Sequence, residues 1–189
     1  MCLESLIRIA TKFSKEENQV HTLGTLLAAA EDQSWKVRLC FAKSYSKFAE
    51  AYGKDLADSN LIQTFVGLLS DSEPEVKNAA VHSLSNSIKN TSPQKLADLV
   101  FPALAAIYTD SQTSFKSGCA TALCEMAGIV GHDFTNGKIV PILMELSKDD
   151  NAEVRLNVIN RMKMVYDVVQ ADLLTPTFLK QLETLSKDS

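Results

Sequence analysis

The chain has 189 residues, 46% of them apolar, and a formal net charge of −4 at pH 7. This apolar fraction is typical of a folded protein and excludes a disordered chain. The acidic balance leaves no basic stripe for phosphate contacts, so we expect no nucleic-acid partner. The longest nearly apolar stretch, residues 99–108, is about half of the roughly 20 residues that span a bilayer, so we expect no membrane span.

The first residues have the pattern of a helix that packs through one face. Glu4 and Arg8 interrupt this apolar segment, so it does not have the long apolar core of a secretory signal. The apolar positions of this helix match those of the second helix in a helical pair. We therefore predict that the first helix of this pair is missing. The apolar positions are Leu3, Leu6, Ile9 and Phe13.

After this helix, a short segment recurs four times at an interval of 39 residues. In each copy an Asp is followed five residues later by an apolar residue and then at once by a cation. A shared period of this length indicates a stacked array in which each unit contacts only its neighbours. The four copies are Asp32, Val37 and Arg38; Asp71, Val76 and Lys77; Asp110, Phe115 and Lys116; and Asp149, Val154 and Arg155.

The spacing around each copy predicts two antiparallel helices joined by a turn. In residues 54–92 the turn is Asp71-Ser72-Glu73-Pro74, where Ser72 could cap the next helix and Pro74 suits its first turn. The apolar face of the first helix is Leu61, Ile62, Phe65, Leu68 and Leu69, and that of the second is Val76, Ala80, Leu84 and Ile88. The last complete second helix is predicted to bury Val154, Val158, Met162 and Tyr166.

Helix-breaking residues mark the boundaries between units. Gly53, Ser92-Pro93 and Gly131 occupy the same phase of the period. Pro102 and Pro141 are also 39 residues apart and lie in the first helix, so we predict that this helix is kinked or starts late.

These patterns predict an all-α fold, an α-α superhelix of antiparallel helix pairs that forms one solenoid. We predict complete repeats over 16–53, 54–92, 93–131 and 132–170. Residues 1–15 are then the second helix of one truncated repeat, and residues 171–189 are the first helix of another. Neither end has the polar character of a capping repeat, which predicts a segment of a longer solenoid. A self-contained short solenoid with atypical ends is the alternative.

The four cysteines do not have the pattern of a disulfide framework. Cys119 and Cys124 are five residues apart on one predicted helix, and no CxxC pair is present. Together with Cys2 and Cys40 they are interpreted as reduced thiols, which predicts a protein of the cytoplasm or the nucleus.

The recurring charges predict a ladder along the turns. The Asp of each copy precedes the cation by six residues, so a carboxylate lies near the end of one helix and a cation in the first turn of the next. Stacking brings equivalent turns side by side, so the Asp of one repeat can reach the Arg or Lys of its neighbour. Arg38 and Arg155 can form two-pronged contacts, and Lys77 and Lys116 cannot. A purely structural interpretation is that the ladder only fixes the stacking register, because exposed ion pairs each contribute only about 0–1 kcal/mol.

A helical pair with Asp and Arg at its turn resembles the HEAT repeat, and this resemblance covers essentially the whole chain. Residues 31–38 (EDQSWKVR), 73–80 (EPEVKNAA) and 153–159 (EVRLNVI) further resemble middle repeats of the scaffold (A) subunits of protein phosphatase 2A. The resemblance is specific at Trp35 and at Arg155-Leu156-Asn157, and loose around Phe115.

This resemblance implies a non-catalytic scaffold whose intra-repeat turns bind regulatory (B-type) subunits and help assemble the phosphatase holoenzyme. In that family the catalytic subunit docks on terminal repeats, which we expect this segment to lack. Trp35, Lys36 and Arg38 match the turn motif and are the predicted contacts. Glu73, Glu75 and Glu153 are acidic turn residues that form a second group of candidates.

Trp35 has two open interpretations. It is the only Trp, and it lies at a turn and not in a core column. It either anchors a partner or folds back over the end of its helix pair, since Trp is enriched in both settings. The resemblance favours binding.

The sequence favours neither an enzyme nor a cofactor protein. His21, His82 and His132 fall at different phases of the repeat, and no zinc or phosphate-binding motif is present. His132 adjoins Asp133, but no nucleophile motif accompanies the pair. We therefore predict no catalytic, metal or cofactor site. Two alternatives to the phosphatase scaffold stay open: another HEAT or armadillo adaptor, such as a transport receptor or chromosome-associated solenoid, and a structural spacer within a larger enzyme.

Overall fold

The computed structural model describes residues 3–109 and 112–170, together with Leu179, Lys180 and Glu183. All regular structure in this part of the chain is helical, so the all-α prediction is confirmed. The chain divides into two compact units, Met1–Ala103 and Leu104–Ser189. The helices are α1 (Leu3–Ala10), α2 (Lys15–His21), α3 (Leu23–Ala30), α4 (Trp35–Leu56), α5 (Ile62–Gly67), α6 (Pro74–Ser87), α7 (Pro93–Lys95), α8 (Phe101–Ile107), α9 (Thr113–Val130), α10 (His132–Phe134), α11 (Val140–Leu146) and α12 (Ala152–Val169).

The 39-residue period is visible in the helix boundaries. The second helices α4, α6, α9 and α12 begin at Trp35, Pro74, Thr113 and Ala152, each 39 residues after the last. Core columns follow the same period, since Val76, Phe115 and Val154 are all at most 1% exposed. Three residues predicted on apolar helix faces are exposed instead. Ile9 and Phe13 are each 37% exposed, and α1 already ends at Ala10. Tyr166 is 42% exposed, because the buried face of α12 continues from Met162 to Val165 and Val169.

The first helix within residues 16–53 is broken between α2 and α3, and a π-helical turn interrupts each of the next three first helices. These turns span Ala57–Leu61, Leu96–Val100 and Thr135–Ile139, again at intervals of 39 residues. The predicted interruption near Pro102 and Pro141 is therefore present. Proline is not its only cause, since Gln63 occupies the equivalent position after the first of these turns. The widened turn therefore forms with or without a proline, and the prolines follow it where an amide donor is not required.

The first unit is built around α4, which packs against α1, α2, α3 and α6. One face of α4 carries four aromatic side chains at alternating spacings of four and three residues. The ring of Tyr45 stacks on Phe65 of α5, with 3.8 Å between the ring centroids. Burial raises the pKa of the Tyr45 hydroxyl, so it stays neutral. The aromatic row is Phe41, Tyr45, Phe48 and Tyr52, and each side chain is at most 1% exposed.

A buried polar chain fixes the break between α2 and α3. The Asn18 amide donates to the carbonyl of Ala10 at 2.8 Å, and the Thr22 hydroxyl donates to Asn18 Oδ1 at 3.0 Å. The Tyr52 hydroxyl hydrogen-bonds to Thr22 from the neighbouring helix α4. All of these polar groups are therefore satisfied inside the core, which is what their burial requires.

The second unit is built around α9, which packs against α12 and α11. The Asn157 amide of α12 donates to the Ser117 carbonyl at 2.6 Å and to the Thr121 hydroxyl at 3.1 Å. Cys119 and Cys124 are buried thiols, and burial raises the pKa of each to about 12. Cys40 in the first unit is also a thiol, and Cys2 lies outside the described residues.

Two kinds of residue begin the first helices. Ser14 and Ser92 have φ of −66° and −70°, and their hydroxyls accept from the backbone N–H three residues on. Gly53 and Gly131 occupy the same place in the period but have φ of 77° and 87° with extended ψ. Gly53 thereby breaks the helical path inside α4. This backbone region is accessible essentially to Gly alone, so the glycines are required by conformation.

We expect Gly131→Ala to destabilise the chain by about 1–3 kcal/mol, the cost of holding a non-glycine residue in this region. No atom lies within 4 Å of an added Cβ, so the loss comes from the backbone and not from a clash. Gly128→Ala is the matched control, because Gly128 lies within α9 and also has open space around its Cβ. The control should gain about 0.4–1 kcal/mol in denaturant unfolding. Equal effects of the two substitutions would contradict this explanation.

Among the described residues, no helix combines the length and the apolar character needed to span a bilayer. The predicted first helix over residues 171–189 falls largely outside the described part of the chain, so that prediction stays open. The repeat boundaries likewise stay predictions.

Candidate functional site: the turns within the helical pairs

Three Asp residues of the recurring segments, Asp32, Asp71 and Asp149, shape the turns that follow them. Each carboxylate accepts from the backbone N–H two residues on, at 2.8 Å for Asp32, 2.9 Å for Asp71 and 2.9 Å for Asp149. Such a contact closes a tight turn and leaves the second carboxylate oxygen for another donor. Asp71 and Asp149 therefore hold their own turns and contact a cation of the preceding repeat at the same time.

Arg38 connects two successive turns in the first unit. Its Nε and Nη2 donate to the two carboxylate oxygens of Asp71 at 2.7 and 2.8 Å. Its Nη1 donates to the carbonyls of Asp32 and Gln33 in its own turn, at 2.8 and 3.3 Å. The side chains of Arg38 and Asp71 are 16% and 6% exposed, so this two-pronged pair is largely shielded from water.

The second unit contains the equivalent contacts. Lys116 Nζ lies 2.6 Å from Asp149 Oδ2, a single-point contact where Arg38 makes two. Arg155 Nη1 donates to the carbonyls of Asp149 and Asp150 at 2.8 and 2.9 Å, as Arg38 does in its own turn. The predicted partner of Lys77 is Asp110, which lies outside the described residues. The position 39 residues beyond Asp149 also lies outside them.

These contacts change the acidity of the carboxyl groups. The hydrogen bonds from Arg38 lower the pKa of Asp71, and they outweigh the opposing effect of burial. Burial raises the pKa of Asp149, but the Lys116 contact and the N–H of Asn151 lower it further, so the net shift is downward. Asp71 in turn raises the pKa of Arg38. The pairs are charged at neutral pH.

The predicted partner contacts lie at the same turns. Trp35 is the first residue of α4 and is half-exposed, and Lys36 is exposed with its Nζ 5.8 Å from the Trp35 ring centroid. Glu73 is half-buried at the N-cap position of α6, where its side chain makes no capping hydrogen bond. Arg38, in contrast, donates to four acceptors within the chain, which makes it a support for the turn. Glu75 and Glu153 are exposed in the first turns of α6 and α12.

The helical pair that repeats every 39 residues, with a ladder of Asp and Arg at its turns, has counterparts among known proteins. Residues 2–124 match a family model described as "Stalled ribosome sensor GCN1-like, HEAT repeats". The chain belongs to this HEAT-repeat family. The expected resemblance to HEAT repeats is confirmed.

The A beta isoform of the human serine/threonine-protein phosphatase 2A 65 kDa regulatory subunit is similar to this HEAT-repeat chain. The two are 28% identical over 128 residues, which is 66% of this chain and 21% of that protein. The expected resemblance to a segment of the phosphatase scaffold is therefore confirmed. The chain spans about a fifth of the length of this relative.

Solved structures give the same fold. The crystal structure of Cex1p matches 98% of this chain and 32% of that one, with a TM-score of 0.69 at 16% identity. A designed armadillo repeat protein in complex with peptide (KR)4 matches 99% of this chain and 84% of that one, with a TM-score of 0.68 at 17% identity. Both structural matches confirm the prediction of a helical-repeat solenoid.

The HEAT-repeat turns make the stability of the chain sensitive to acid. The folded-state pKa values of Asp71 and Asp149 lie below the ordinary 3.8, so ionisation favours the folded state. This contribution is present above pH 3.8 and is lost as the pH falls through the lower folded-state values. We expect Asp71→Asn with Asp149→Asn to be less stable than the parent at pH 7, and the gap to narrow below about pH 4. Denaturant unfolding at several pH values tests this.

Asp150→Asn is the control for this double variant, because Asp150 is an exposed carboxylate in the same turn as Asp149. Its stability should follow the parent at every pH. A gap between the double variant and the parent that persists unchanged at low pH would show that lost turn geometry, and not lost charge, is responsible.

Sequence reasoning did not identify two polar features. No structural role was predicted for Asn18 or Asn157, and each donates to the backbone of another helix. Asn18 is buried, and a buried amide requires hydrogen-bond partners. Their roles are structural, since both amides are occupied within the chain.

The histidines do not converge on a site. His21 lies edge-on to Phe13, with 6.1 Å between the ring centroids, and His132 contacts exposed Asp133 at 3.0 Å. Within the described ranges, no group of three or more His, Cys, Asp or Glu side chains could hold a metal ion.

Proposed function

We propose that this chain is a segment of a non-catalytic scaffold that binds B-type regulatory subunits of a protein phosphatase and helps assemble the holoenzyme. The observation that carries the proposal is the 28% identity over 128 residues to the 65 kDa regulatory subunit of human phosphatase 2A. The proposal places the protein in the cytoplasm or the nucleus.

The geometry of the first described turn supports this function. Arg38 holds the turn through two carbonyl oxygens and the carboxylate of Asp71, so its backbone is fixed before any partner arrives. Trp35 and Lys36 project from this fixed turn and keep part of their surface in water. A rigid aromatic residue beside a cation is a favourable anchor, since little conformational entropy is lost on binding.

We expect Trp35→Ala to weaken binding of a purified B-type subunit by roughly 2 kcal/mol, the range of interface anchors. Isothermal titration with the full chain measures this. Tyr166→Ala is the matched control, because Tyr166 is an exposed aromatic residue near the end of α12, away from the turns. The control should retain the parent affinity, and both variants should retain the parent helical circular dichroism. Equal affinities of the parent and Trp35→Ala would refute the role of Trp35.

A second candidate is an adaptor for other partners, favoured by the match of residues 2–124 to the GCN1-like model. The name of that model mentions a stalled ribosome sensor, so ribosomes are the partner to test. The two candidates separate in one experiment on tagged chain expressed in cells. Phosphatase activity in the purified fraction supports the first, and cosedimentation with ribosomes that resists moderate salt supports the second.

A further inference from the structure

Several serines of this chain have the charge pattern of a kinase substrate. A protein kinase with a basic substrate cleft accepts a serine that is followed by carboxylates, because substrate selection depends partly on complementary charge. The structure separates these serines by the contacts that their hydroxyls and the following carboxylates already make. Within the described ranges, four serines precede an acidic residue by three positions: Ser14 before Glu17, Ser70 before Glu73, Ser72 before Glu75, and Ser147 before Asp150.

Two of the four serines are already occupied within the fold. The Ser14 hydroxyl accepts from the N–H of Glu17, and the Glu17 carboxylate accepts from the N–H of Ser14 at 2.8 Å. This reciprocal capping box ties up both groups that a kinase would need. Ser147 is 1% exposed, and its hydroxyl donates to the carbonyl of Met144 at 2.8 Å. Neither hydroxyl is available to an enzyme.

Ser70 is exposed, but the carboxylates that follow it are poorly available. Arg38 donates to both oxygens of Asp71, the next residue, at 2.7 and 2.8 Å. Glu73, three residues after Ser70, is half-buried at the N-cap position of α6. A basic cleft would have to compete with Arg38 for the first of these groups.

Ser72 has both an accessible hydroxyl and accessible carboxylates. It is exposed in the turn before α6 and does not cap this helix, since Glu73 occupies the N-cap position. Among the described residues, its hydroxyl takes part in no hydrogen bond. In the same part of the chain, no group donates to the carboxylates of Glu73 and Glu75. The exposed Glu75 lies three residues after Ser72, at the position that a basic cleft can contact.

The backbone around Ser72 is close to the form that a kinase cleft requires. An acceptor segment binds in such a cleft as an extended chain. Asp71 has φ −59° and ψ 146°, and Glu73 has φ −91° and ψ 119°, so both neighbours of Ser72 are extended. Pro74 keeps the preceding Glu73 in this region. The Glu73 carbonyl accepts two first-turn bonds of α6, from the N–H groups of Val76 and Lys77 at 3.1 Å each. Terminal turns of helices open readily.

Another repeat already carries a negative charge at the position of Ser72. The residues at this position of the period are Gln33, Ser72 and, in the last turn, the exposed Asp150. The turns that contain Ser72 and Asp150 have the same internal contact, a carboxylate that accepts from the N–H two residues on at 2.9 Å. The turn geometry is therefore compatible with an anionic group at Ser72.

We propose that Ser72 is a phosphorylation site for an acidophilic serine/threonine kinase, which recognises the carboxylates of Glu73 and Glu75. The Ser72 Oγ attacks the γ-phosphorus of ATP, and the bond from this phosphorus to the bridging oxygen of ADP breaks. The hydroxyl proton passes to the catalytic carboxylate of the kinase, and ADP leaves. The modified side chain carries about −1.5 to −2 charges at pH 7. A changed affinity for regulatory subunits is the one consequence that rests on the proposed function.

The test is phosphorylation of the purified full chain by an acidophilic casein kinase with Mg²⁺ and ATP. The modified residue is identified by tandem mass spectrometry, and initial rates are measured with radiolabelled ATP. We expect phosphate at Ser72. Ser72→Ala should lower the incorporation by about tenfold or more, because the other acidic-flanked serines are occupied or poorly flanked. Ser14→Ala and Ser70→Ala are the matched controls and should retain the parent rate.

The recognition groups are tested separately from the acceptor. Glu75→Gln should lower kcat/KM of the kinase by about tenfold, the usual contribution of one charge-assisted contact. Glu31→Gln is the control, because Glu31 is an exposed carboxylate at the preceding turn of the same kind. Its kcat/KM should equal that of the parent.

Ser72→Asp tests whether the turn accepts a negative charge. We expect its thermal midpoint to equal that of the parent, since Asp150 occupies the equivalent position. The midpoint of Ser72→Ala should also be unchanged, which shows that lost phosphorylation of this variant does not come from unfolding.

Three results would overturn the proposal. The first is phosphate found mainly at Ser14, Ser70 or Ser147. The second is equal incorporation into the parent and Ser72→Ala. The third is incorporation into the heat-unfolded chain only, because the folded turn would then not be a substrate. None of these measurements includes a regulatory subunit, so failure here is distinct from failure of the proposed function.

Discussion

Phe65→Ala should lower the free energy of unfolding of the first unit by about 3–5 kcal/mol, the usual loss for a fully buried Phe. The Phe65 side chain is 0% exposed, and its ring stacks on Tyr45 at a centroid distance of 3.8 Å. Truncation leaves a cavity between α4 and α5 and removes the stacking contact. The aromatic row of α4 then loses its partner from the first helix of the next repeat.

The measurement is denaturant unfolding followed by helical circular dichroism. Phe13→Ala is the matched control, since Phe13 is an aromatic residue of the same unit that is 37% exposed. The control should lose about 1 kcal/mol or less, as is usual for surface positions. Similar losses in the two variants would show that the stacked pair is not central to the unit.

The period of the sequence was sufficient to predict the positions of the second helices. A helix must bury one apolar face, and a stacked array repeats that requirement at a fixed interval, so Val76 and Val154 are predictable as core residues from spacing alone. The prediction fails at Tyr166, where strict steps of four residues rotate away from the true core face. Val165, three residues beyond Met162, takes its place.

The π-helical turns were predictable in position but not in cause. Pro102 and Pro141 indicated an interruption, yet the equivalent turn before Gln63 forms without a proline. Interruption therefore depends on how the first helix packs, which is a property of the assembled repeat. Local sequence does not report such a packing requirement.

The candidate site was predictable to the extent that it depends on period. Equal spacing of Asp and cation implies that neighbouring turns approach, and the structure brings Arg38 to Asp71 and Lys116 to Asp149. The exposure of individual turn residues was not predictable from the period. The Arg38 side chain is engaged in hydrogen bonds within the chain. The Trp35 side chain in the same turn keeps part of its surface exposed.

Phe115→Val should destabilise the second unit by about 2–3 kcal/mol, between the losses for small and large truncations of buried side chains. The same substitution is a consensus change, because the equivalent residues of the other three copies are Val37, Val76 and Val154. Consensus changes often stabilise proteins. The structure instead predicts a loss of stability. Phe115 lies in the first turn of α9, and its side chain is only 1% exposed, so its ring is part of the core. Replacing the ring by Val leaves a cavity.

Val154→Phe is the reciprocal test in the same unit. Val154 is 0% exposed, so a ring at that position overpacks the core and should cost about 1–3 kcal/mol. Losses in both variants, measured by denaturant unfolding, would show that each repeat has a cavity fitted to its own column residue. A gain in stability for Phe115→Val would mean that residues at equivalent positions of the repeats can replace one another. The period alone would then determine packing. The distinction matters for the scaffold, because repeats with individual cores can also present individual surfaces at their turns.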